Sequence, residues 1–232
     1  NEFLYSIIAY LVIGVFLIGV SIVLWVLPET SLLDYGYASM APLFSIGPYL
    51  FMFLIPAITM KSFAEEKRSG TIELLYTLPF TSRAIVLGKF LAASLLVFFS
   101  LFPTMVYYYS IYRLGNPPGN LDTSGIVGAY FGLFFLGSVF ASIGIFSSSI
   151  TENQIVAFVV GVLLCFISYE GFTTLAHIDL WDSWAYYIEY FGIMFHYNAM
   201  SKGVIDLSNL TYFVGFIMIM LLATHYSLEA RK

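Results

Sequence analysis

The sequence predicts an all-α, polytopic membrane protein with six spans, a charged inner element and an outer interfacial helical segment. Three observations lead there. Of 232 residues, 60% are hydrophobic and only 10% charged; a soluble domain is about 45–50% apolar and about 25% charged. Nine basic and 14 acidic side chains cannot clothe the surface a soluble fold of this length exposes, and the same composition excludes disorder. The apolar residues gather into runs near the ~20 residues that a membrane helix needs. The alternating strands of a membrane β-barrel do not occur.

The first run, Ile7–Leu27, is longer than the ~7–15 residues of a signal-peptide core and has no basic cluster before it, so it reads as a retained span. Pro42–Met60 and Phe90–Tyr109 follow as the second and third spans, and Ile126–Ile150 and Ile155–Thr174 as the fourth and fifth. Leu210–Tyr226 is short and borrows length from its flanks. Pro48, Pro56 and Pro103 fall inside spans, where proline is tolerated if neighbouring helices satisfy the freed carbonyls. In the fourth span Gly128-x-x-x-Gly132 is a surface for close helix approach. It leaves packing within the bundle and contact with another subunit equally open.

Lys61, Lys67, Arg68, Arg83, Lys89, Arg231 and Lys232 fall on one side of these spans, Arg113 and Lys202 on the other. The richer side is expected to be cytoplasmic, with both termini inside a bacterial inner membrane. Trp25, Tyr107, Trp184, Tyr187 and Tyr190 belong to an aromatic belt at the outer interface.

Two connections are too patterned to be simple links. The inner one, 61–89, begins with a polar stretch that reads as a short surface helix. Gly70 can end it or cap a second one in which Glu73 is the third residue, and Pro79 stops the second. The outer one, 177–209, has Trp184, Tyr187, Ile188, Phe191, Met194 and Phe195 at helical spacing, which predicts one amphipathic helix.

The chemistry this sequence lacks is informative. Gly88-Lys89 is followed by Phe90, and Arg83 stands where a phosphate loop needs its first glycine, so the nucleotide cradle is missing. Zinc-protease and serine-hydrolase motifs are missing too, so no catalytic residue is assigned. His177, His196 and His225 have no metal-ligand spacing and read as interfacial. Cys165 is alone in an apolar run, a small buried hydrophobe with no disulfide partner. With a net charge of −5 and no basic run, nucleic acid is not expected as a partner. Glu170 is the carboxylate inside an assigned span, a functional candidate by default.

The stretch Phe63-Ala-Glu-Glu-Lys-Arg-Ser-Gly-Thr-Ile-Glu-Leu-Leu-Tyr-Thr-Leu-Pro, continued at Gly88-Lys89, resembles the ABC-2 type transporter permease family. The family pattern falls on Glu65 or Glu66, Gly70, Thr71, Glu73, Leu75, Pro79, Gly88 and Lys89. Ser148–Phe158 and Phe195–Asp206 are similar to the gliding-motility-associated permease subunit of that family. The resemblance implies that Phe63, Glu65, Glu66, Arg68, Gly70, Thr71 and Glu73 form the element that couples to a cytoplasmic ATP-binding subunit. It further implies a second permease subunit, a different chain or an identical one. ATP and Mg would be held by the ATPase, and this chain would bind no cofactor and would not itself be an enzyme. The family's N-terminal amphipathic elbow would precede Asn1.

Two readings stand beside it. One is a force-transmitting or structural membrane module energised by an ATPase without a transported substrate. The other is a proton-coupled carrier or intramembrane enzyme using Glu170 with His177.

Overall fold

The computed structural model describes residues 7–28, 39–73, 81–115, 119–178 and 184–230. Every regular element among them is helical. Helix α1 is Ile7–Trp25, α2 is Ala41–Thr59 and α3 is Lys61–Arg68. Helix α4, Ser82–Leu101, leads through a 3₁₀ turn at Phe102–Thr104 into α5, Met105–Leu114. Helix α6 is Thr123–Ile150. Helix α7, Gln154–Phe166, runs through a π-helical turn at Ile167–Gly171 into α8, Phe172–Ala176. Short helices α9, Ala185–Tyr190, and α10, Ile193–Ser201, precede α11, Leu207–Glu229.

Among the described residues five helical stretches are long and apolar enough to cross a bilayer: Ala41–Arg68, Ser82–Leu114, Thr123–Ile150, Gln154–Ala176 and Leu207–Glu229. Helix α1 is apolar throughout, but its fully described part, Ala9–Trp25, is shorter. The third span is longer than the sequence reading gave it. It starts at Ser82, so Ser82–Lys89 belongs to a membrane helix and not to the inner connection. Thr81 sets that start by accepting a hydrogen bond from the Ala84 amide. The last helix has 23 residues.

Helix α6 is the central post. Its most apolar stretch is 67% buried inside the chain, against 28% for the α7–α8 stretch and 22% for α11. It touches α2, α3, α4, α7, α10 and α11. Small residues make this possible. A Cβ at Gly137 would stand 2.5 Å from Val97 of α4, and one at Gly144 2.0 Å from the Thr59 hydroxyl of α2. The Gly128-x-x-x-Gly132 surface meets its own chain, at Gly203 and Met200. Of the two roles open in the sequence, packing within the bundle is the one occupied.

The proline expectation is met at Pro48. With no N–H at Pro48, the Phe44 carbonyl one turn back loses its helical donor. The buried Tyr197 hydroxyl of α10 donates to that carbonyl at 2.6 Å. Further interhelical bonds join Ser21 to Tyr107 at 2.6 Å and Thr104 to Tyr130 at 2.9 Å. Each such bond inside a membrane contributes about 0.6 kcal/mol on average.

The single outer amphipathic helix is not what forms. The chain breaks at Phe191–Gly192, dividing α9 from α10. The break lets Ile193, His196, Tyr197 and Met200 turn inward, while Trp184, Tyr187 and Phe191 stay exposed. A Cβ at Gly192 would stand 3.0 Å from that of Phe172, and this close approach, with the packing demand of α10, outweighs the apolar periodicity.

Two histidines are buried within the chain. His196 is 1% exposed, with Nδ1 on the Asn209 side-chain oxygen at 2.8 Å and Nε2 on the Tyr190 carbonyl at 2.9 Å. Its ring stacks on Tyr212 with centroids 3.9 Å apart. His225 is buried too, with Arg83 Nε donating to its Nε2 at 3.3 Å.

Candidate coupling site and an intramembrane carboxylate

One end of the bundle gathers α3, the start of α4 and the ends of α6 and α11. Helix α3 has a buried and an exposed face. Ser62, Phe63 and Ala64 are buried. Glu65, Arg68, Ser69, Gly70, Thr71 and Glu73 are exposed. The seven residues implied as one coupling set therefore divide: Phe63 and Glu66 hold α3 to the bundle, and the other five form the free rim.

Three attachments fix α3. Phe63 and Ala64 amides donate to the Ser148 hydroxyl of α6 at 2.9 and 3.0 Å, and that hydroxyl donates to the Met60 carbonyl at 2.8 Å. Lys67 donates to the Ser149 carbonyl. Lys89 of α4 pairs with Glu66 at 2.6 Å, donates to the Ser62 carbonyl, and lies 4.6 Å from the centre of the Phe63 ring. That pair is only about a quarter exposed, so it is less screened than a surface ion pair. Gly70, at φ +72°, ends α3 as a left-handed cap, and its amide donates to the Lys67 carbonyl at 3.2 Å. Ile72 and Glu73 begin a further helical turn. Leu75, Pro79 and the predicted second segment lie outside the described residues.

The Ser147-Ser148-Ser149 run ends an apolar helix. Ser148 turns its hydroxyl to α3, whereas the Ser147 and Ser149 hydroxyls bond back to Gly144 and Phe146 of their own helix.

Glu170 sits in the π-helical turn at Ile167–Gly171. Its Oε1 accepts from the Tyr49 hydroxyl of α2 at 2.5 Å, and the adjacent Tyr169 is buried with its ring against that of Tyr49. A π turn re-aims side chains by one register step and recurs at functional sites. His177 does not join the cluster: its Nδ1 faces the Thr173 carbonyl at 2.7 Å. The Glu170–His177 pair therefore does not form, and the proton-relay reading loses its geometry. Among the described residues no group of three His, Cys, Asp or Glu is placed to hold a metal ion.

A family model described as ABC-2 family transporter protein matches residues 30–232. A search of curated proteins gave no match. With most of its length covered by that family model and its spans packed around one central helix, the chain belongs to the ABC-2 transporter family and is a membrane permease subunit of an ABC transporter.

Proposed function

We propose that the exposed rim of α3 is the docking surface for the ATP-binding subunit that the family implies. The observation behind this is the division of α3 between a clamped face and an exposed face bearing Glu65 and Arg68, with the exposed Glu73 just beyond Gly70. A short charged helix braced against three membrane helices can take a push from a soluble domain and pass it to them. Charged rims of this kind make salt-dependent contacts with soluble partners.

In this reading the α3 end faces the cytoplasm, both termini lie there, and α1 is the sixth span. The membrane is a bacterial inner membrane. ATP and Mg bind in the partner, a second permease subunit completes the pathway, and this chain performs no catalysis. The similarity of Ser148–Phe158 and Phe195–Asp206 to the gliding-motility permease supports that narrower role.

The test is co-purification in mild detergent of the charge-stripped variant Glu65→Gln/Arg68→Gln/Glu73→Gln with the ATP-binding subunit. Rim charges contribute about 0.2–1 kcal/mol each. Association is expected to weaken about tenfold, with the deficit shrinking in high salt. Unchanged association would contradict the reading.

A further inference from the structure

We infer that Ser148 is the wedge that divides the second membrane helix from the coupling element, and so sets the direction in which α3 leaves the bundle. Helices α2 and α3 form one nearly continuous rod, Ala41–Arg68, interrupted only at Met60. Met60 itself keeps helical angles, φ −55° and ψ −29°. Met60 is neither proline nor glycine, and Pro56 lies one turn before it, its carbonyl accepting from the Met60 amide. An inserted side chain is one recognised cause of a break in the helical ladder.

The Ser148 hydroxyl is that insertion. In an unbroken α-helix the Phe63 amide would donate to the Thr59 carbonyl. It donates instead to Ser148 Oγ at 2.9 Å, and Ala64 adds a second bond at 3.0 Å. Ser148 Oγ in turn donates to the Met60 carbonyl at 2.8 Å. One hydroxyl thus uses its proton and both acceptor sites within a single break. It does for α3 what an N-cap side chain does from within a helix, but from another helix. Met60, at the cap position, has no side-chain oxygen with which to do so.

The surroundings hold the wedge in place. Ser148 is fully buried. Thr59, just before the break, fits where Gly144 has no side chain, with its hydroxyl 2.0 Å from the position a Cβ would take. A displacement of the α6 end therefore carries the origin of α3 with it. Ser148 is a positioning residue. Its link to energy coupling rests on the docking role proposed for α3; the wedge itself does not.

The full chain in nanodiscs provides the test. Nitroxides at Ser69 and Tyr226, both exposed, report the end of α3 against α11. The one cysteine, Cys165, is fully buried and leaves the labelling clean. In Ser148→Ala the Phe63 amide returns to Thr59, and α2 runs on into α3. For a helix of eight residues, about 12 Å long, a change in direction of about 20° moves the far end by ~4 Å. Ser148→Thr keeps the hydroxyl and is expected to keep the original distance. An unmoved distance in Ser148→Ala, or the same shift in Ser148→Thr, overturns the wedge. Hydrogen exchange on the unaltered chain gives a reading that needs no variant: Phe63 and Ala64 amides are expected to exchange as slowly as those ending α6, and fast exchange overturns it. Adding the ATP-binding subunit separates the two claims. A shifted α3 with ATPase stimulation reduced at least tenfold supports both. A shifted α3 with stimulation intact leaves the wedge and overturns the docking role.

Discussion

The two ends of the bundle are held by different chemistry. At the α3 end, the Ser148 hydroxyl and the Lys67 and Lys89 ammonium groups bind main-chain amides and carbonyls. Such bonds fix direction, because a break or shift of one residue loses them. At the other end, α9 and α10 rest on rings: Tyr186 on Phe195, Tyr190 on His196, His196 on Tyr212. Ring contacts tolerate sliding and suit a cap in the headgroup layer. The lesson is that the end expected to receive a directed push is tied by bonds to the main chain around one helix start, whereas the opposite end adds a layer of stacked rings to the bonds that His196 and Tyr197 make.

The comparison breaks first at His196 if it is wrong. His196→Ala removes two buried hydrogen bonds and a stacked ring, a loss of about 2–4 kcal/mol. The melting temperature is expected to fall by ~5–10 °C, with ATPase stimulation in the surviving protein nearly intact. A strong coupling defect without loss of stability would reverse the roles of the two ends. Gly132→Leu comes next. A Cβ there already lies 3.0 Å from that of Met200, and overpacking costs about 1–3 kcal/mol, read as a lowered melting point. Lys89→Met leaves the Glu66 carboxylate, one of whose oxygens is already buried without a partner, facing no cation. A loss of about 1–2 kcal/mol is expected, with a several-fold drop in stimulation, and Lys89→Arg is expected to recover part of both.

The smallest effect belongs to Asp122, which caps α6 at the end opposite α3. The Gly125 amide at 3.0 Å, and then Ser124, hold its carboxyl below the usual range. Its contribution is therefore present above the ordinary carboxylate pKa and disappears as the pH falls through the depressed one. An acid titration of melting temperature is expected to show a slight extra loss there, absent in Asp122→Ala.

Much of this was legible in the sequence. The apolar runs gave the second to last spans to within a turn or so at most ends, because lipid demands one helical rod of fixed length per crossing. Ser82–Lys89 was misjudged because polar residues open that helix before its apolar run begins. The division at Gly192 was hidden because apolar spacing cannot say which side of a helix finds a partner. The burial of His196 and His225 was hidden because a lone histidine carries no mark of the Asn209 or Arg83 that meets it across the fold. The coupling set was readable as a motif, but not its division: only the bundle shows that Phe63 and Glu66 face inward. Tyr49, 121 residues from Glu170 along the chain, left no local signal at all.

The central claim is that the free rim of α3 meets the ATP-binding subunit. A photo-crosslinking residue at Arg68, in the complex assembled in its membrane, tests it most directly, with one at Tyr187 on the opposite end as the comparison. The account expects an adduct containing the ATP-binding subunit from Arg68 and none from Tyr187. An adduct from Tyr187 with none from Arg68 would contradict it.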